Sequence, residues 1–376
     1  MAEFGYPISK FYQEGCSSDE LTLQGVIKAS RYYVGESIIY LQRPRSIDEA
    51  VISGLIEEAY EHTHRLVSDD QNYTFETATI NSNATGGDVV IAGTYSSSLT
   101  GNPGNVYELA TKAASDPSHR YTYVALPGNG YSSPLTRKER RHFLRSGSFL
   151  VKEEGVTTTL PVVRALAEVL RSHDVLPKHL ASDSAGGVLM SALGANLPKN
   201  KVETVFQNVR PGFSDMSSFM LAKGMLIDDG RLAAKYKDSS PDPWKVDESA
   251  KALVLAHKPE GFEPPHVPMF GRVAMLGSYA RGLSIGKRGD KYPLWDDTVA
   301  LLERQGDAHV RFVCEQDDVL MTEYWSGRRL RSLVRGLSYF TSKQVDLVLV
   351  ENGYHSLHTY YPQFVDAMRL AMYTDM

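Results

Sequence analysis

The chain has 376 residues, 42% of them hydrophobic and 23% charged, and its 18 prolines are spread without a low-complexity block. This composition excludes a disordered or fibrous protein and fits one large α/β domain with an insertion, or two ordinary domains. With 40 Lys and Arg against 45 Asp and Glu the formal net charge is −5, so charge supplies no reason to expect nucleic acid or an anionic membrane as partner.

The first residues, MAEFGYPISKFYQEG, show none of the segments of a secretory signal, and no apolar run reaches the length of a membrane span. Only two cysteines occur, Cys16 and Cys314, too few and too far apart for a disulfide framework or a cysteine-based zinc site. A cytoplasmic protein without a membrane span is the expectation.

Residues from about 18 to 33 read as a first helix. In RSIDEAVISGLIEEAYEHTHRLV, Ser46 and Glu49 form a capping box, and Val51, Leu55, Ile56, Ala59 and Leu66 recur at helical spacing. Residues 1–74 are therefore expected to be an N-terminal helical extension. Beyond them the period changes. Short β-rich runs, FETATI, DVVIAGTY, RYTYVALPG, KHLASDS, VETVFQNV, HVRFVCEQDD and VDLVLVENG, are separated by helical stretches such as GNVYELATKAASD and TTLPVVRALAEVLRSHD. Strands alternating with helices predict an α/β fold: a mostly parallel central sheet with helices on both faces. The alternation breaks for about a hundred residues after VETVFQNV, a region with PDPWKVDE and GFEPPHVPMFG. Residues 211–300 are expected to form an inserted cap or lid, between a core formed by 75–210 and 301–376.

Chemistry concentrates at HLASDSAGGVLM. KHLA reads as a strand and AGGVLMSALGANL as a helix, which puts Ser184 on a sharp strand-to-helix turn with small residues, Ser182 and Gly186, on either side. Such a turn pushes a serine hydroxyl above a sheet, where it can act as a nucleophile. The pattern departs from G-x-S-x-G at Ser182, and a Ser/Gly-rich helix cap is the plainer reading of the same residues. A hydroxyl also needs a base and an orienting acid. VDLVLVENGYHSLH ends a β-like run in a turn carrying His355, with His358 as the second choice. HVRFVCEQDDVLMT places Glu315, Asp317 and Asp318 at a strand end. Asp317 is the preferred acid, with Asp318 next and also suited to cap a helix. Serine, aspartate, histidine is the chain order of one fold among those that use this triad.

In these segments the sequence resembles the α/β-hydrolase superfamily. HLASDSAGG resembles the nucleophile elbow, LPGNGYSS the P-G-x-G-x-S segment after the fourth strand, and GYHS the catalytic-histidine turn, over residues 75–210 and 300–376. The resemblance implies a Ser184, Asp317, His355 triad and an inserted cap. An oxyanion hole then needs two backbone N–H groups. One is expected from Ala185, the other from the loop after DVVIAG, at Thr94 first and Tyr95 as the second choice. Ala92 stands where the family often has a histidine, and there is no HGGG segment, which disfavours the hormone-sensitive-lipase branch. A serine at the elbow disfavours dehalogenase and epoxide-hydrolase chemistry, which use an aspartate.

The function expected is hydrolysis of a carboxylic ester or related acyl bond in a small-molecule substrate, with no cofactor and no metal. An acyltransferase, a peptidase or amidase, and a catalytically silent binding protein of the same fold are the rivals. TRKERRHFLR and GRRLRSLVRG read as solvated basic faces, and GLSIGKRGDK lacks the spacing and the Ser or Thr of a phosphate loop. His62 and His64, two apart on the expected helix, point in different directions and make poor joint metal ligands. In the cap, Trp244, Phe262, Phe270 and Met275 are candidates for either an acyl pocket or the cap's own core.

Overall fold

Asp48 opens the described chain: its carboxylate accepts from the Ala50 N–H at 3.0 Å and caps helix α1, Glu49–Glu61. The structure, a computed structural model, describes residues 48–93, 98–153, 156–208, 243–263, 279, 293–315 and 345–350. Ser46 and the expected helix over 18–33 lie outside them. The cap on α1 is thus Asp48 where the capping-box pattern pointed to Ser46. Helix α1 also stops sooner than its apolar spacing suggests. The Thr63 hydroxyl donates to the Ala59 carbonyl at 2.7 Å, and Thr63–Val67 continue as strand β1, antiparallel to β2, Thr74–Ile80, with Thr63 opposite Ala78 and Val67 opposite Thr74. Ladder bonds to a strand further along the chain outweigh a helical period that Leu66 happens to continue.

Strand β3 is Asp88–Ala92, α2 Pro103–Ser115, β4 Arg120–Val124 and α3 Arg137–Ser146. A hairpin of β5, Leu150–Glu153, and β6, Val156–Thr159, follows, then α4, Pro161–Ser172, β7, Pro177–Asp183, α5, Gly186–Asn196, and β8, Thr204–Asn208. The described chain ends with α6, Pro243–Ala256, α7, Pro293–Gln305, β9, His309–Glu315, and β10, Val345–Val350. Helix α7 runs through residue 300 and packs against α5 of the core. Capping residues explain several starts. Asn102 accepts from Gly104 N–H ahead of Pro103 in α2, and Thr136 with Glu139 makes a reciprocal capping box on the basic helix α3.

Eight strands form one sheet in the order β1-β2-β4-β3-β7-β8-β9-β10. β2 is antiparallel to both β1 and β4, and from β4 across to β10 every neighbouring pair is parallel. Period-two burial separates the two faces. Val89, Ile91, Ala181 and Phe206 meet α1, α2 and α6 on one side, where Ile56, Leu109 and Val254 are wholly buried. Val90, Ala92, Leu180 and Val205 meet α4, α5 and α7 on the other, with Leu166, Val188 and Leu301. A fully buried aliphatic side chain of this kind contributes about 2 kcal/mol, so the parallel strands are apolar on both faces because both are covered.

Candidate active site

The order of strands locates a crevice. From β3 the chain crosses by α2 over one face to β4, and from β4 it returns by α3, the hairpin and α4 over the other face to β7. β3 and β7 are therefore neighbours whose following helices leave on opposite faces, and the carboxyl ends of such strands are where ligands bind in open α/β sheets. Ala92 pairs with Ser182 in this ladder. Ser184 lies just beyond it.

Ser184 has φ of 45° and is half-buried, in the two-residue turn between β7 and α5. A left-handed backbone costs a non-glycine residue about 1–2 kcal/mol, and such strain is held only where the surroundings enforce it. They do so here. A Cβ on Gly186 would run into the Ala92 carbonyl oxygen and lie 2.7 Å from its carbon and 2.8 Å from the Gly93 oxygen. These are backbone atoms and cannot move aside. Gly186 thus lets the first turn of α5 press against the end of β3. Ala185, the N-cap residue of α5, is 2% exposed with helical φ and ψ, so its amide belongs to the helix start, where N–H groups have no partner in a preceding turn. Ser182, in the motif's usual glycine position, is buried, and its hydroxyl donates to the Phe206 carbonyl of β8 at 3.4 Å.

Charge is buried beneath the elbow. Asp183 is 1% exposed, and on α2 the Lys112 ammonium contacts the Glu108 carboxylate, both side chains buried. Burial pushes the Lys112 ammonium down to about 8, and the Asp183 carboxylate opposes that fall. On the other face, Asp297 of α7 is buried and accepts from the Ser148 hydroxyl at 2.6 and 2.8 Å. Burial raises its carboxyl well above the ordinary range, against the Ser148 hydrogen bond, with Asp296 adding to the rise and Lys152 opposing it.

The segment LPGNGYSS follows β4 and folds back along β2. Ser132 accepts from Glu76 N–H at 2.9 Å and donates to the Ala125 carbonyl, while Ser133 accepts from Thr74 N–H. The two serines of this motif are staples for the turn. Glu76, which the sequence analysis passed over, is wholly buried and accepts from Leu99 N–H, Thr100 N–H, the Thr100 hydroxyl and Tyr131 N–H. A lone glutamate in a β-like run, four residues from the nearest turn signal, Asn72, carries no local mark of this role.

Of the expected site residues the structure describes Ser184 and Ala185 and brings them to the switch point. Thr94, Tyr95, Asp317, Asp318, His355 and His358 lie outside the described residues, as do Phe270, Met275, GLSIGKRGDK and GRRLRSLVRG. Phe262 packs edge-on against Tyr60 of α1, with ring centroids 5.0 Å apart, and belongs to the core on that face. His62 ends α1 and His64 stands in β1. Among the described residues no cluster suits a metal ion, and no helix is long and apolar enough to cross a membrane. A cavity of about 1000 Å³ opens at the opposite edge of the sheet. There Arg120 is committed to Asp88 and Lys178 to Glu203.

The strand order, the antiparallel β2 and the strained serine between β7 and α5 define an α/β-hydrolase fold. No protein-family model and no curated protein matches the sequence. Among solved structures, a bromoperoxidase from Bacillus anthracis matches 81% of this chain and 98% of its own at 15% identity and a TM-score of 0.47. The esterase RhEst1 from Rhodococcus sp. ECU1013 matches 82% and 97% at 16% identity and a TM-score of 0.46. MGS-M2, an α/β hydrolase enzyme from a Medee basin deep-sea metagenome library, matches 81% and 98% at 13% identity and a TM-score of 0.46. The fold of this chain rests on its own strand order, and the activities of these proteins stay with them.

Proposed function

We propose that this chain is a serine hydrolase that cleaves a carboxylic ester, or a related acyl bond, of a small molecule through an acyl-enzyme on Ser184. The observation that carries the reading is the left-handed backbone of Ser184 at the switch point, enforced by Gly186 against Ala92 and Gly93. A strained polar residue at the carboxyl edge of a parallel sheet, in a turn of small residues, is costly to keep without a use.

Asp317 and His355 complete the proposed triad. β9 ends at Glu315 and β10 at Val350, and both run parallel to β7 within the same sheet. Their carboxyl ends therefore lie at the edge that carries Ser184, and the proposed acid and base follow those ends in sequence by two and five residues. In the proposed reaction His355 takes the Ser184 proton while Oγ bonds to the acyl carbon, and the carbonyl electrons pass to its oxygen. The Ala185 and Thr94 N–H groups hold that oxyanion. Collapse breaks the bond to the leaving alcohol, which receives the proton from His355. Water then repeats the sequence on the acyl-enzyme and releases the acid and free Ser184. Asp317 fixes the imidazole tautomer and stabilises its charged form.

Labelling with a fluorophosphonate probe, with the modified peptide located by mass spectrometry, tests the reading. Adduct on Ser184 in the native protein and none in Ser184→Ala is the expected result. A folded native protein that takes no label at Ser184 would overturn it in favour of a silent binding protein.

A further inference from the structure

Helix α3 carries the densest basic run among the described residues. Arg137, Lys138, Arg140, Arg141 and Arg145 are five cations in ten residues, and all five are exposed. At a helical period of 3.6 they fall, together with Leu144, on one arc of about 160°. Glu139, His142, Phe143 and Ser146 occupy the rest of the circumference and face the protein. The helix's one acid is thus turned inward: Glu139 is 2% exposed and accepts from the Tyr73 hydroxyl at 3.0 Å and the Val162 N–H at 2.8 Å. Among the described residues, Arg137, Lys138, Arg140 and Arg141 form no ion pair.

This arrangement runs against the helix's own electrostatics. Arg137 and Lys138 occupy the first turn, where the macrodipole favours anions. The pairs Arg137 with Arg141 and Arg141 with Arg145 set like charges four residues apart. The inward face meanwhile fixes the helix in place. The capping box of Thr136 and Glu139 starts it, and Gly147 ends it in a left-handed cap. Phe143 stacks on Phe149 with ring centroids 4.4 Å apart, and His142 donates to the Leu150 carbonyl at 2.9 Å. A firmly seated helix about 15 Å long therefore presents a cationic face, on a chain whose net charge is −5.

We propose that the outer face of α3 docks this protein on an anionic lipid bilayer, its cations meeting lipid phosphates and Leu144 entering the boundary between headgroups and acyl chains. Charge complementarity calls for an anionic partner, and two observations select a bilayer over a nucleic acid. Leu144 is 40% exposed within the cationic arc, one turn from Arg140 and Arg141, where an apolar side chain gains from acyl chains and not from a phosphodiester. The one Phe, Tyr or Trp of α3, Phe143, is wholly buried and stacked inward, so the helix offers no such ring to a base. A planar surface also meets one face, whereas a long polyanion would run on to the rest of a net-acidic chain. The inference is independent of the serine-hydrolase reading, and its test requires no turnover.

Sedimentation of the full chain with large vesicles tests it, using phosphatidylcholine alone and phosphatidylcholine with one third phosphatidylglycerol. The native protein should pellet with the phosphatidylglycerol vesicles at about 0.1 M NaCl, stay in solution with phosphatidylcholine alone, and be released as salt rises to about 0.5 M. The double variant Arg140→Gln, Arg141→Gln should bind about 30-fold more weakly, at roughly fivefold per cation. Leu144→Asn should bind about threefold more weakly at unchanged charge. All three positions are exposed, so both variants should fold, and circular dichroism spectra matching the native one check this. Native protein left in solution with the phosphatidylglycerol vesicles overturns the inference. Binding that both variants retain in full overturns it too, because the contact would then lie on another face. Equal loss of vesicle and DNA-duplex binding in the arginine variant, with Leu144→Asn unaffected in both, would make α3 a general polyanion face and sink the bilayer assignment.

Discussion

Gly186 sits against the carbonyl of Ala92 so closely that the first turn of α5 and the end of β3 meet backbone to backbone. That contact ties the elbow to the strand whose continuation should supply the second oxyanion donor. It also turns a motif glycine into a measurable constraint.

Gly186→Ala should therefore destabilise the fold by about 3 kcal/mol, at the upper end of overpacking costs, because the obstructing atoms are main chain. Urea unfolding checks this. The residual folded protein should lose fluorophosphonate labelling, since the elbow has to open to admit the methyl group.

Strain at Ser184 predicts a separation of stability from activity. Ser184→Gly and Ser184→Ala should both abolish labelling. Glycine adopts φ of 45° without the Cβ penalty, so Ser184→Gly should be more stable than Ser184→Ala by about 1 kcal/mol. Equal melting temperatures for the two variants would show that the turn stores no strain.

Lys112 tests the buried charges under the elbow. Lys112→Met leaves Glu108 and Asp183 buried with the ammonium removed and should cost about 3–5 kcal/mol. Adding Glu108→Leu should recover part of that loss, giving a coupling energy of about 1 kcal/mol or more in a double-mutant cycle. Additive losses would mean the contact between the two side chains contributes little to stability.

Asp297 sets a pH dependence with a definite sign. Burial raises its carboxyl pKa in the folded state above the unfolded value, so the native protein binds the proton more tightly. Its contribution to stability is present below the unfolded pKa of about 3.9 and is lost as pH rises toward the folded one. Asp297→Asn keeps the shape and an oxygen to accept from Ser148. The variant should gain stability over the native protein as pH increases from 4 to 8, which parallel urea titrations would reveal. A difference independent of pH would show that Asp297 stays ionised in the fold.

Much of the sheet was legible because its signals are local. Strands of the structure take in residues 75–80, all of FETATI, residues 88–92 of DVVIAGTY, 178–183 of KHLASDS and 309–315 of HVRFVCEQDD, and the serine between a strand and a helix was visible from the small residues around it. β1 was not legible. Thr63–Val67 continue a helical spacing, and only pairing with β2, itself later in the chain, draws them into the sheet. The β5–β6 hairpin was missed for the same reason, being two four-residue strands with little period to read.

The sequence by itself determined the alternation of strands and helices and the small-residue turn around Ser184. Each is a matter of neighbours within a few residues, where backbone preference and hydrophobic period act directly. Only the tertiary structure decided that Gly186 must be glycine, that Ser132 and Ser133 staple a turn to β2, and that Glu76 gathers Leu99, Thr100 and Tyr131. These pairings join residues 23 to 94 positions apart. A buried polar group is fixed by whichever distant partner satisfies it, and no local pattern records that choice.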